Sequence, residues 1–390
     1  MKTRSLSLIC SLLLFPAGAA LADSFFNQFK DSDGWMDVSD FVLNNAVGFM
    51  PVPIIITEPA VGEGLGLAAA FFHPPKDYSQ KDYETAGQKS EAGDKEFVLP
   101  DITAVAAAAT NNGTWFVGGG HFAHWKDDSI RYEGILGYAN VVMKFYGEEG
   151  GDQSSDEGFE FTGEAVFIQQ PFDFRIKESN WFVGVEYDYS KIETVFDIGG
   201  DIPGFPPLVL DATLSGLGVA VKYENFDTPF TPSAGMQFEF EVLRNDEALG
   251  SDYDYTSMST HIHYYKKLGE KWVLGLRGKA QSVSGDAPFY MLPFIDMRGI
   301  PALRYQGEAM GLVEAEARWA FHPRISLVGF LGAGKAAESF SDLSSATTRA
   351  VQGLGIRYFL ARKLGMHAGI DVAKGPEDTY WYLTIGGAWR

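Results

Sequence analysis

The segment from Trp181 to Ser190 reads WFVGVEYDYS and alternates between two kinds of side chain. Large apolar and aromatic residues stand at its odd positions, whereas Gly184, Glu186 and Asp188 stand at even positions. Successive side chains of a β-strand point to opposite faces of a sheet, so this segment predicts a strand with one apolar and one polar face. The same alternation recurs in segments 236–242, 272–279, 313–319 and 381–389.

Aromatic residues favour a membrane barrel over a soluble β-sandwich, which would also alternate. The 390 residues include 44 Gly, 30 Phe, 17 Tyr and 8 Trp, and only 21% are charged. Tyr and Trp stand near segment ends, where a transmembrane barrel meets the two membrane interfaces. A mean hydropathy of −0.07 suits a wall that faces lipid on one side and a lumen on the other. We therefore predict an all-β fold, a transmembrane antiparallel β-barrel that forms a single domain.

The alternating segments predict sixteen strands, an even number that brings both chain ends to one side, as in bacterial outer-membrane barrels. Short connectors are assigned to the periplasm and longer loops to the outside. Two connectors break this pattern: 111–113 is a short outer one, and 73–97 is a long inner one without apolar periodicity, which we interpret as a flexible insert. The predicted strands are 52–58, 64–72, 101–110, 114–125, 130–147, 159–176, 181–196, 211–226, 235–247, 254–267, 271–284, 304–321, 324–337, 347–360, 364–374 and 379–389.

The N-terminal residues have the pattern of a cleaved secretory signal. Lys2 and Arg4 precede an apolar run, 6–15, that is too short to span a bilayer. Ala20-Leu21-Ala22 then fits a cleavage site. These features predict a signal peptide over 1–22, a short periplasmic segment over 23–50, and a barrel over 51–390 in the outer membrane of a Gram-negative bacterium. Within 23–50, Asp37-Val38-Ser39-Asp40 is suited to cap a short amphipathic helix that acts as a plug or periplasmic lid.

Composition excludes several functional classes. One cysteine excludes a disulfide scaffold and a cysteine-rich metal site, and a net charge of −20 disfavours nucleic-acid binding. His261 and His263 share a strand face, but no carboxylate stands at matched depth, so lumen-lining histidines are favoured over a metal site. No Gly-x-Ser-x-Gly elbow occurs. We expect no enzyme, no metal and no cofactor; the alternative is an outer-membrane lipid hydrolase with a Ser, His and acid triad at the outer rim.

The C-terminal third holds a series of short motifs in a fixed order. Together they resemble the BamA/TamA (bacterial surface antigen) superfamily of sixteen-stranded outer-membrane barrels. The upstream strands fit that family more loosely. The motifs are Pro288-Phe289-Tyr290, Met297-Arg298-Gly299-Ile300, Glu316-Ala317-Arg318, Phe330-Leu331-Gly332-Ala333-Gly334, Gly353-Leu354-Gly355-Ile356-Arg357-Tyr358, Asp371-Val372-Ala373 and Ile385-Gly386-Gly387-Ala388-Trp389.

This resemblance implies that the long loop from 285 to 303 folds back into the lumen. Arg298 and Gly299 match the Arg-Gly signature of that loop, and Glu316 matches its first acidic partner. A guanidinium in a confined lumen requires a carboxylate, which supports the pairing. The second acidic position of the family is Gly332 here, and the alternatives are Glu314, whose strand parity also points it inward, and Asp371. The competing interpretation is that Arg298 is an ordinary loop arginine.

The last predicted strand allows a second interpretation. Trp381, Leu383, Ile385 and Trp389 alternate and end near an aromatic residue, which resembles the targeting signal by which outer-membrane barrels are themselves inserted. Trp389 also fits a girdle residue at the membrane interface, and the two interpretations are compatible.

Three functional hypotheses remain open. The leading one is outer-membrane biogenesis, the insertion or translocation of proteins or lipids at a weak lateral seam. The segment 23–50 is too short for a POTRA domain, so we expect a barrel-only relative. Its expected partners are outer-membrane lipid and either unfolded outer-membrane proteins or the barrel assembly machinery. The alternatives are a passive or selective pore, whose acidic lumen would favour cations, and the hydrolase. The acidic residues assigned to the lumen are Glu160, Glu164, Glu186, Asp188, Glu239 and Glu241.

Overall fold

A computed structural model describes residues 29, 31, 33–39, 48–74, 101–146, 158–196 and 207–389. These residues form one sheet of sixteen antiparallel strands, each hydrogen-bonded to the next along the chain. The strands are β1 (Gly48–Glu58), β2 (Gly62–His73), β3 (Asp101–Thr110), β4 (Trp115–Trp125), β5 (Ile130–Phe145), β6 (Phe159–Arg175), β7 (Trp181–Phe196), β8 (Leu208–Glu224), β9 (Gly235–Asn245), β10 (Tyr255–Lys267), β11 (Trp272–Gly285), β12 (Ala309–His322), β13 (Ile325–Ala337), β14 (Arg349–Ala361), β15 (Met366–Lys374) and β16 (Thr379–Ile385).

The sheet curls into a nearly closed transmembrane barrel, which confirms the predicted fold class and strand number. The largest differences from the predicted boundaries are at β1, β12 and β16: β1 begins at Gly48, β12 begins at Ala309, and β16 already ends at Ile385. Besides Ser39, which is helical, the helices among the described residues are three short 3₁₀ turns, Glu247–Leu249, Phe289–Met291 and Asp342–Ser344. No helix in the described ranges is long and apolar enough to cross a membrane. The predicted signal peptide and nearly all of the predicted insert lie outside the described residues.

Strand alternation produces the two faces of the barrel wall. On β7, Val183 and Val185 point outward and are exposed, whereas Phe182 points inward and is 2% exposed. The same outward face carries Leu331 and Leu354, which are 64% and 73% exposed. Exposed apolar side chains in rows around a closed sheet are expected where the wall contacts lipid.

Connectors differ between the two ends of the barrel. We call the end that holds 126–129, 176–180, 268–271, 323–324 and 362–365 the turn end, and the opposite end the loop end. β1 begins and β16 ends at the turn end. The longest loop-end connector whose every residue is described is 286–308.

Two connectors fold into the lumen and fill it from opposite ends. At the loop end, connector 286–308 buries Ile295, Met297 and Ile300 against inward side chains of β12 and β14. At the turn end, connector 225–234 leaves β8 and reaches β15, seven strands further along the sheet. There the Thr231 Oγ1 accepts a hydrogen bond of 3.1 Å from the backbone N–H of His367. We call residues 225–234 the turn-end plug.

The first and last strands meet without a backbone ladder among the described residues. One hydrogen bond to a side chain joins them instead: the backbone N–H of Leu383 in β16 donates to Thr57 Oγ1 in β1 at 3.2 Å. A second bond passes over β1, since Trp381 Nε1 donates to Glu63 Oε1 on β2 at 2.9 Å. We call the boundary between β1 and β16 the seam.

Candidate functional site

Arg298 connects the lumen loop to two strands of the barrel wall. Its Nη1 donates to Asp371 Oδ2 on β15 at 2.5 Å, and its Nη2 donates to Glu316 Oε2 on β12 at 2.9 Å. The guanidinium carbon lies 3.6 Å from the ring centre of Phe330 on β13. Asp371 also accepts a hydrogen bond of 2.9 Å from Arg357 Nη2 on β14. We call Arg298, Glu316 and Asp371 the loop latch.

Burial makes this ion-pair cluster energetically important. The side chains of Arg298 and Asp371 are 7% and 0% exposed. Burial acts to lower the pKa of Arg298, but the carboxylates of Glu316 and Asp371 outweigh that effect and raise the pKa above its ordinary value. Arg298 therefore stays charged, and removing one partner would leave a buried charge uncompensated.

Gly299 brings the loop against β16. Its backbone is in the left-handed region, with φ of 100°, and its N–H donates to the Tyr382 hydroxyl at 2.8 Å. A Cβ added here would lie 3.1 Å from the backbone N of Gly375, so only glycine fits without displacement. Three residues later, Ala302 N–H donates to Glu58 Oε1 on β1 at 3.2 Å. The lumen loop thus contacts both sides of the seam.

Glu314 is not part of the latch, which corrects the prediction that grouped it with Arg298. Its Oε2 accepts a 2.6 Å hydrogen bond from Arg277 Nη1 on β11, the directly adjacent strand. Arg277 Nη2 also donates to Asp296 Oδ2 of the loop at 2.8 Å. Glu314 therefore pairs with an arginine that also binds the loop, at Asp296. Asp371 is the second carboxylate that pairs with Arg298.

The family position held here by Gly332 has no room for an acidic side chain. A Cβ at this position would lie 2.8 Å from Glu314 Cγ and 2.9 Å from Met297 Sδ. Sequence reasoning missed Asp296 and Tyr382 altogether. Alternation along β11 points Arg277 inward, and an inward arginine could have indicated that the loop supplies an acidic partner such as Asp296. No local sequence pattern identifies Tyr382 as a partner of the loop.

A second ion pair attaches the far end of the same loop. Arg304 Nη2 lies 2.6 Å from Glu377 Oε1, and the Tyr305 hydroxyl donates to the same oxygen at 2.6 Å. Burial acts to raise the pKa of Glu377, but these two hydrogen bonds outweigh it and lower the pKa. The loop is therefore attached both near its middle, at Arg298, and closer to β12, at Arg304.

The predicted targeting strand is only partly a strand. Trp381, Leu383 and Ile385 lie on β16, with Trp381 and Ile385 exposed on the outward face. Trp389 lies beyond the strand, inside the lumen, with ring centres 6.1 Å from His263 and 5.9 Å from Tyr265. The interpretation of Trp389 as a membrane-girdle residue is therefore wrong.

Local backbone geometry explains this change of direction. Gly386 has φ of 86°, which ends the extended conformation after Ile385. The Gly387 N–H then donates to the carbonyl oxygen of Phe230 in the turn-end plug at 2.6 Å. This hydrogen bond holds the residues after Ile385 inside the lumen, away from the turn-end half of β1.

An N-terminal strap, defined as residues 29, 31 and 33–39, lies on the turn end. Arg324, whose side chain is 0% exposed, is its main attachment. Nε of Arg324 is 2.7 Å from Asp33 Oδ2, Nη1 is 2.7 Å from Asp37 Oδ2, and Nη2 is 2.8 Å from Asp31 Oδ2. Three carboxylates of the strap therefore surround one arginine of the β12–β13 turn.

Further hydrogen bonds extend this attachment to β14 and the following turn. The Tyr358 hydroxyl donates to the carbonyl oxygen of Met36 at 2.6 Å, Val38 N–H donates to Leu360 O at 2.9 Å, and Lys363 N–H donates to Ser39 Oγ at 3.1 Å. In the chain the strap precedes β1, which lies across the seam from β16. Of the short helix predicted at Asp37-Val38-Ser39-Asp40, the structure describes only 37–39, and Ser39 is helical; the rest lies outside the described residues.

Histidines 261 and 263 do not form a metal site with other side chains. His263 Nδ1 lies 3.2 Å from Gln237 Oε1, within hydrogen-bond distance. Throughout the described part of the chain, no group of three or more His, Cys, Asp or Glu side chains is arranged to hold a metal ion.

Comparison with known proteins identifies a shared fold. No protein-family model and no curated protein sequence matches this chain. Among solved structures, BamA of Haemophilus ducreyi lacking POTRA domains 1–3 is 12% identical with a TM-score of 0.56, and the match covers 93% of this chain and 82% of that one. This chain has the barrel fold of BamA. The resemblance predicted from the C-terminal motifs is confirmed at the level of fold.

Two CdiB structures share this fold. CdiB of Escherichia coli is 12% identical with a TM-score of 0.55, over 85% of this chain and 61% of that one. CdiB of Acinetobacter baumannii is 11% identical with a TM-score of 0.52, over 86% of this chain and 58% of that one. This chain therefore spans about three fifths of the length of either CdiB.

Proposed function

We propose that this BamA-like barrel acts in outer-membrane biogenesis and inserts or translocates proteins or lipids at the seam between β1 and β16. The observation that carries the proposal is the missing backbone ladder at this one boundary, when every other pair of neighbouring strands in the described sheet is hydrogen-bonded. An outer-membrane location in a Gram-negative bacterium is part of this proposal.

Unpaired strand edges explain how the seam would act. An edge strand presents backbone N–H and C=O groups to which another extended chain can pair. Because the chain turns inward after Ile385, the first half of β1 has no opposing strand among the described residues. In the described part of the chain, only the hydrogen bond of Leu383 to Thr57 joins β16 directly to β1, whereas Trp381 donates to Glu63 on β2. At about 1 kcal/mol each, such bonds resist opening far less than a full ladder.

Two elements stabilise the closed seam without pairing its edges. The lumen loop contacts β16 through Gly299 and β1 through Ala302. The N-terminal strap precedes β1 in the chain but is attached to the β12–β13 turn through Arg324. Separating β1 from β16 would require these contacts to rearrange, so the loop latch and the strap would set the probability of opening.

The partners follow from the chemistry of an open strand edge in a membrane. An unfolded outer-membrane protein supplies alternating strands that pair with β1, and the lipid-facing wall contacts outer-membrane lipid. The similarity to BamA favours unfolded barrel proteins, with the barrel assembly machinery as the other candidate partner. The acidic composition, with a net charge of −20, disfavours nucleic acid.

A reversible cross-link tests the seam. A Thr57→Cys and Leu383→Cys pair would form a disulfide across it, and Val242→Cys with Met258→Cys would form the matched control across the regular β9–β10 pair. We expect the oxidised seam variant to lose about tenfold in the insertion of an unfolded barrel protein into proteoliposomes, and reduction to restore it. Full insertion by the oxidised seam variant, with the cross-link verified, would contradict the proposal.

A cation-selective pore is the second candidate because part of the lumen wall is acidic. Glu186, Asp188, Glu239 and Glu241 face inward, as predicted, but Lys222 lies 3.3 Å from Glu239 and offsets its charge. Two residues predicted to line the lumen face the other way: Glu160 and Glu164 share the outward face of β6 with Val166, which is 43% exposed.

Connectors that enter the lumen from both ends make a permanently open pore the weaker proposal. Planar-bilayer recordings separate the two candidates. We expect no steady conductance from the unmodified protein, because the lumen loop and the turn-end plug occupy the path. A stable cation-selective current would support the pore instead.

A further inference from the structure

A cavity of about 680 Å³ opens at the turn end, beside the turn-end plug. Connectors 225–234, 268–271, 323–324 and 362–365 surround it. Phe230 and Phe359 form apolar parts of its wall, and Thr231 and Ser233 contribute hydroxyl groups. No residue of the loop latch lines the cavity, although Glu316 of the latch lies two residues before Arg318 on β12.

Arg318 of β12 lines this cavity and is 8% exposed. Its Nη2 donates to Ser233 Oγ at 2.7 Å and lies 3.4 Å from the carbonyl oxygen of Pro232. Among the residues that the structure describes, no carboxylate forms an ion pair with it. Other deeply buried arginines of this barrel do have such partners: Arg298 and Arg357 pair with Asp371, and Arg324 pairs with the strap.

Two of the carboxylates near Arg318 are already engaged, and a third, Glu270, lines the cavity but forms no ion pair with Arg318 in the described part of the chain. Glu316 precedes Arg318 on the same face of β12 but pairs with Arg298 at 2.9 Å. Asp227 of the plug pairs with Lys267 at 3.2 Å. A buried guanidinium without a counter-ion is energetically costly, because desolvation of the charge is not offset by an opposite charge. This cost is removed when an anion enters the cavity.

His367 supplies a second polar group without a partner. It is 9% exposed, lines the same cavity, and its ring stacks on Phe359 with centres 4.2 Å apart. Its Nδ1 is buried and has no hydrogen-bond partner in the structure. Buried polar atoms are nearly always hydrogen-bonded in folded proteins, so a hydrogen-bond partner for Nδ1 would be favourable.

We propose that the cavity binds a phosphate group, held by Arg318 and His367. A guanidinium donates two parallel hydrogen bonds to a tetrahedral oxyanion, and Thr231 and Ser233 offer hydroxyl groups at the same wall. Lysines 267, 271 and 363 line the cavity and attract anions toward it. The apolar wall beside the charged groups fits a phosphate that is attached to a larger amphiphile, such as a lipid headgroup.

Calorimetric titration of the detergent-solubilised full-length protein tests the site. The probes are inorganic phosphate, dihexanoyl phosphatidic acid, and dihexanoyl glycerol, which lacks the phosphate. We expect saturable binding of both phosphate probes and none of dihexanoyl glycerol. Tighter binding of the phosphatidic acid would identify a lipid headgroup as the source, and equal binding would identify free phosphate. Equal binding of dihexanoyl glycerol, or no saturable binding of either phosphate probe, would overturn the proposal.

Substitutions of Arg318 and His367 test whether these two side chains bind the phosphate. Arg318→Met keeps the length of the side chain and removes its charge, and we expect affinity to fall about tenfold or more. The control is Arg244→Met, at an arginine of the loop end that is 45% exposed and pairs with Asp246. His367→Phe keeps the stacking on Phe359 and removes Nδ1, and we expect a several-fold loss. Unchanged affinity in folded Arg318→Met protein would overturn the site.

A measurement on the unmodified protein covers the case in which Arg318→Met does not fold. Tungstate is a tetrahedral oxyanion with strong anomalous scattering, so crystals soaked in it would show where such an anion binds. We expect an anomalous peak inside the cavity between Arg318 and His367. Peaks confined to exposed lysines would overturn the proposal. Neither experiment depends on the activity of the seam.

Discussion

Arg298 Nη1 donates to Asp371 Oδ2 at 2.5 Å and so joins the lumen loop to β15, 73 positions further along the chain. Asp371 is fully buried and also accepts from Arg357, so one carboxylate is shared by two guanidinium groups. The second carboxylate, Glu316, makes the charges of this cluster balance. The loop is thus attached to the wall two strands away from the seam and contacts the seam itself through Gly299.

Arg298→Met should destabilise the folded barrel by about 3–5 kcal/mol, because it leaves Glu316 without a partner and Asp371 with only one. The free energy of unfolding in urea, followed by tryptophan fluorescence in detergent, measures this loss. Arg244→Met is the matched control, and its exposed ion pair should change stability by about 1 kcal/mol or less. Equal effects of the two substitutions would show that burial of the latch adds nothing.

Gly299→Ala should destabilise the barrel more than Gly250→Ala does. The two glycines have similar backbone angles, φ of 100° and 91°, so alanine is strained at both by about 1 kcal/mol or more. Only position 299 places the new methyl group against backbone, 3.1 Å from the N atom of Gly375, whereas nothing lies within 4 Å at position 250. The difference between their free energies of unfolding therefore measures the close approach of the loop to 375, and a zero difference would contradict it.

The N-terminal strap should detach in acid. The hydrogen bond from Arg324 is the main cause of the lowered pKa of Asp33, which ordinarily titrates near 3.8. A carboxyl group with a depressed pKa in the folded state contributes stability that is complete above its unfolded pKa and lost as the pH falls through the folded one. Attachment should therefore be constant near neutral pH and weaken below about pH 4. Hydrogen exchange of Val38, whose N–H donates to Leu360, measures this change after correction for intrinsic rates.

Asp33→Asn should weaken the strap already at neutral pH and reduce its response to acid. Asp246→Asn is the control, since the pKa of Asp246 is also lowered, mainly by the backbone N–H of Ala248, but at the loop end of the barrel. Protection of Val38 that falls equally in both variants would indicate a general loss of stability and would argue against a specific role of Asp33.

Trp389→Ala should free the C-terminal residues from the lumen. The substitution removes the aromatic contacts with His263 and Tyr265 and should cost about 1–2 kcal/mol, since the indole is only half-buried. Hydrogen exchange of Gly387, which donates to Phe230, should rise, and Trp389→Phe should restore most of the protection.

The targeting role predicted for the last strand is tested by Leu383→Asn and Ile385→Asn. Both should reduce the amount of folded barrel in the outer membrane by disturbing the alternation of β16. If Trp389→Ala causes the same loss of folded protein while the two asparagine variants assemble normally, the signal lies in Trp389 and not in the strand.

Alternation along the chain was enough to predict the barrel. The segment from Trp181 to Ser190 specifies its strand because two-residue periodicity is a local property, and repeating it sixteen times leaves few folds other than a barrel. Glu316 could likewise be assigned to the lumen by parity alone. Alternation could not show which of Glu314 and Glu316 pairs with Arg298, since both side chains point inward. Glu314 pairs instead with Arg277 on the adjacent strand.

The sequence by itself determined the strands, most of their faces and the inward direction of the latch acids, because each depends on neighbours within one strand; on β6 the faces of Glu160 and Glu164 were assigned wrongly. Only the tertiary structure decided which charges meet. Asp33 and Arg324 are 291 positions apart, and Arg298 pairs with an acid that the loop reaches only by entering the lumen. Trp389 shows the same limit: its place in an alternating segment suggested the membrane interface, but hydrogen bonds to the turn-end plug from across the barrel turned it into the lumen. Closure of the barrel creates these contacts, and no local pattern records them.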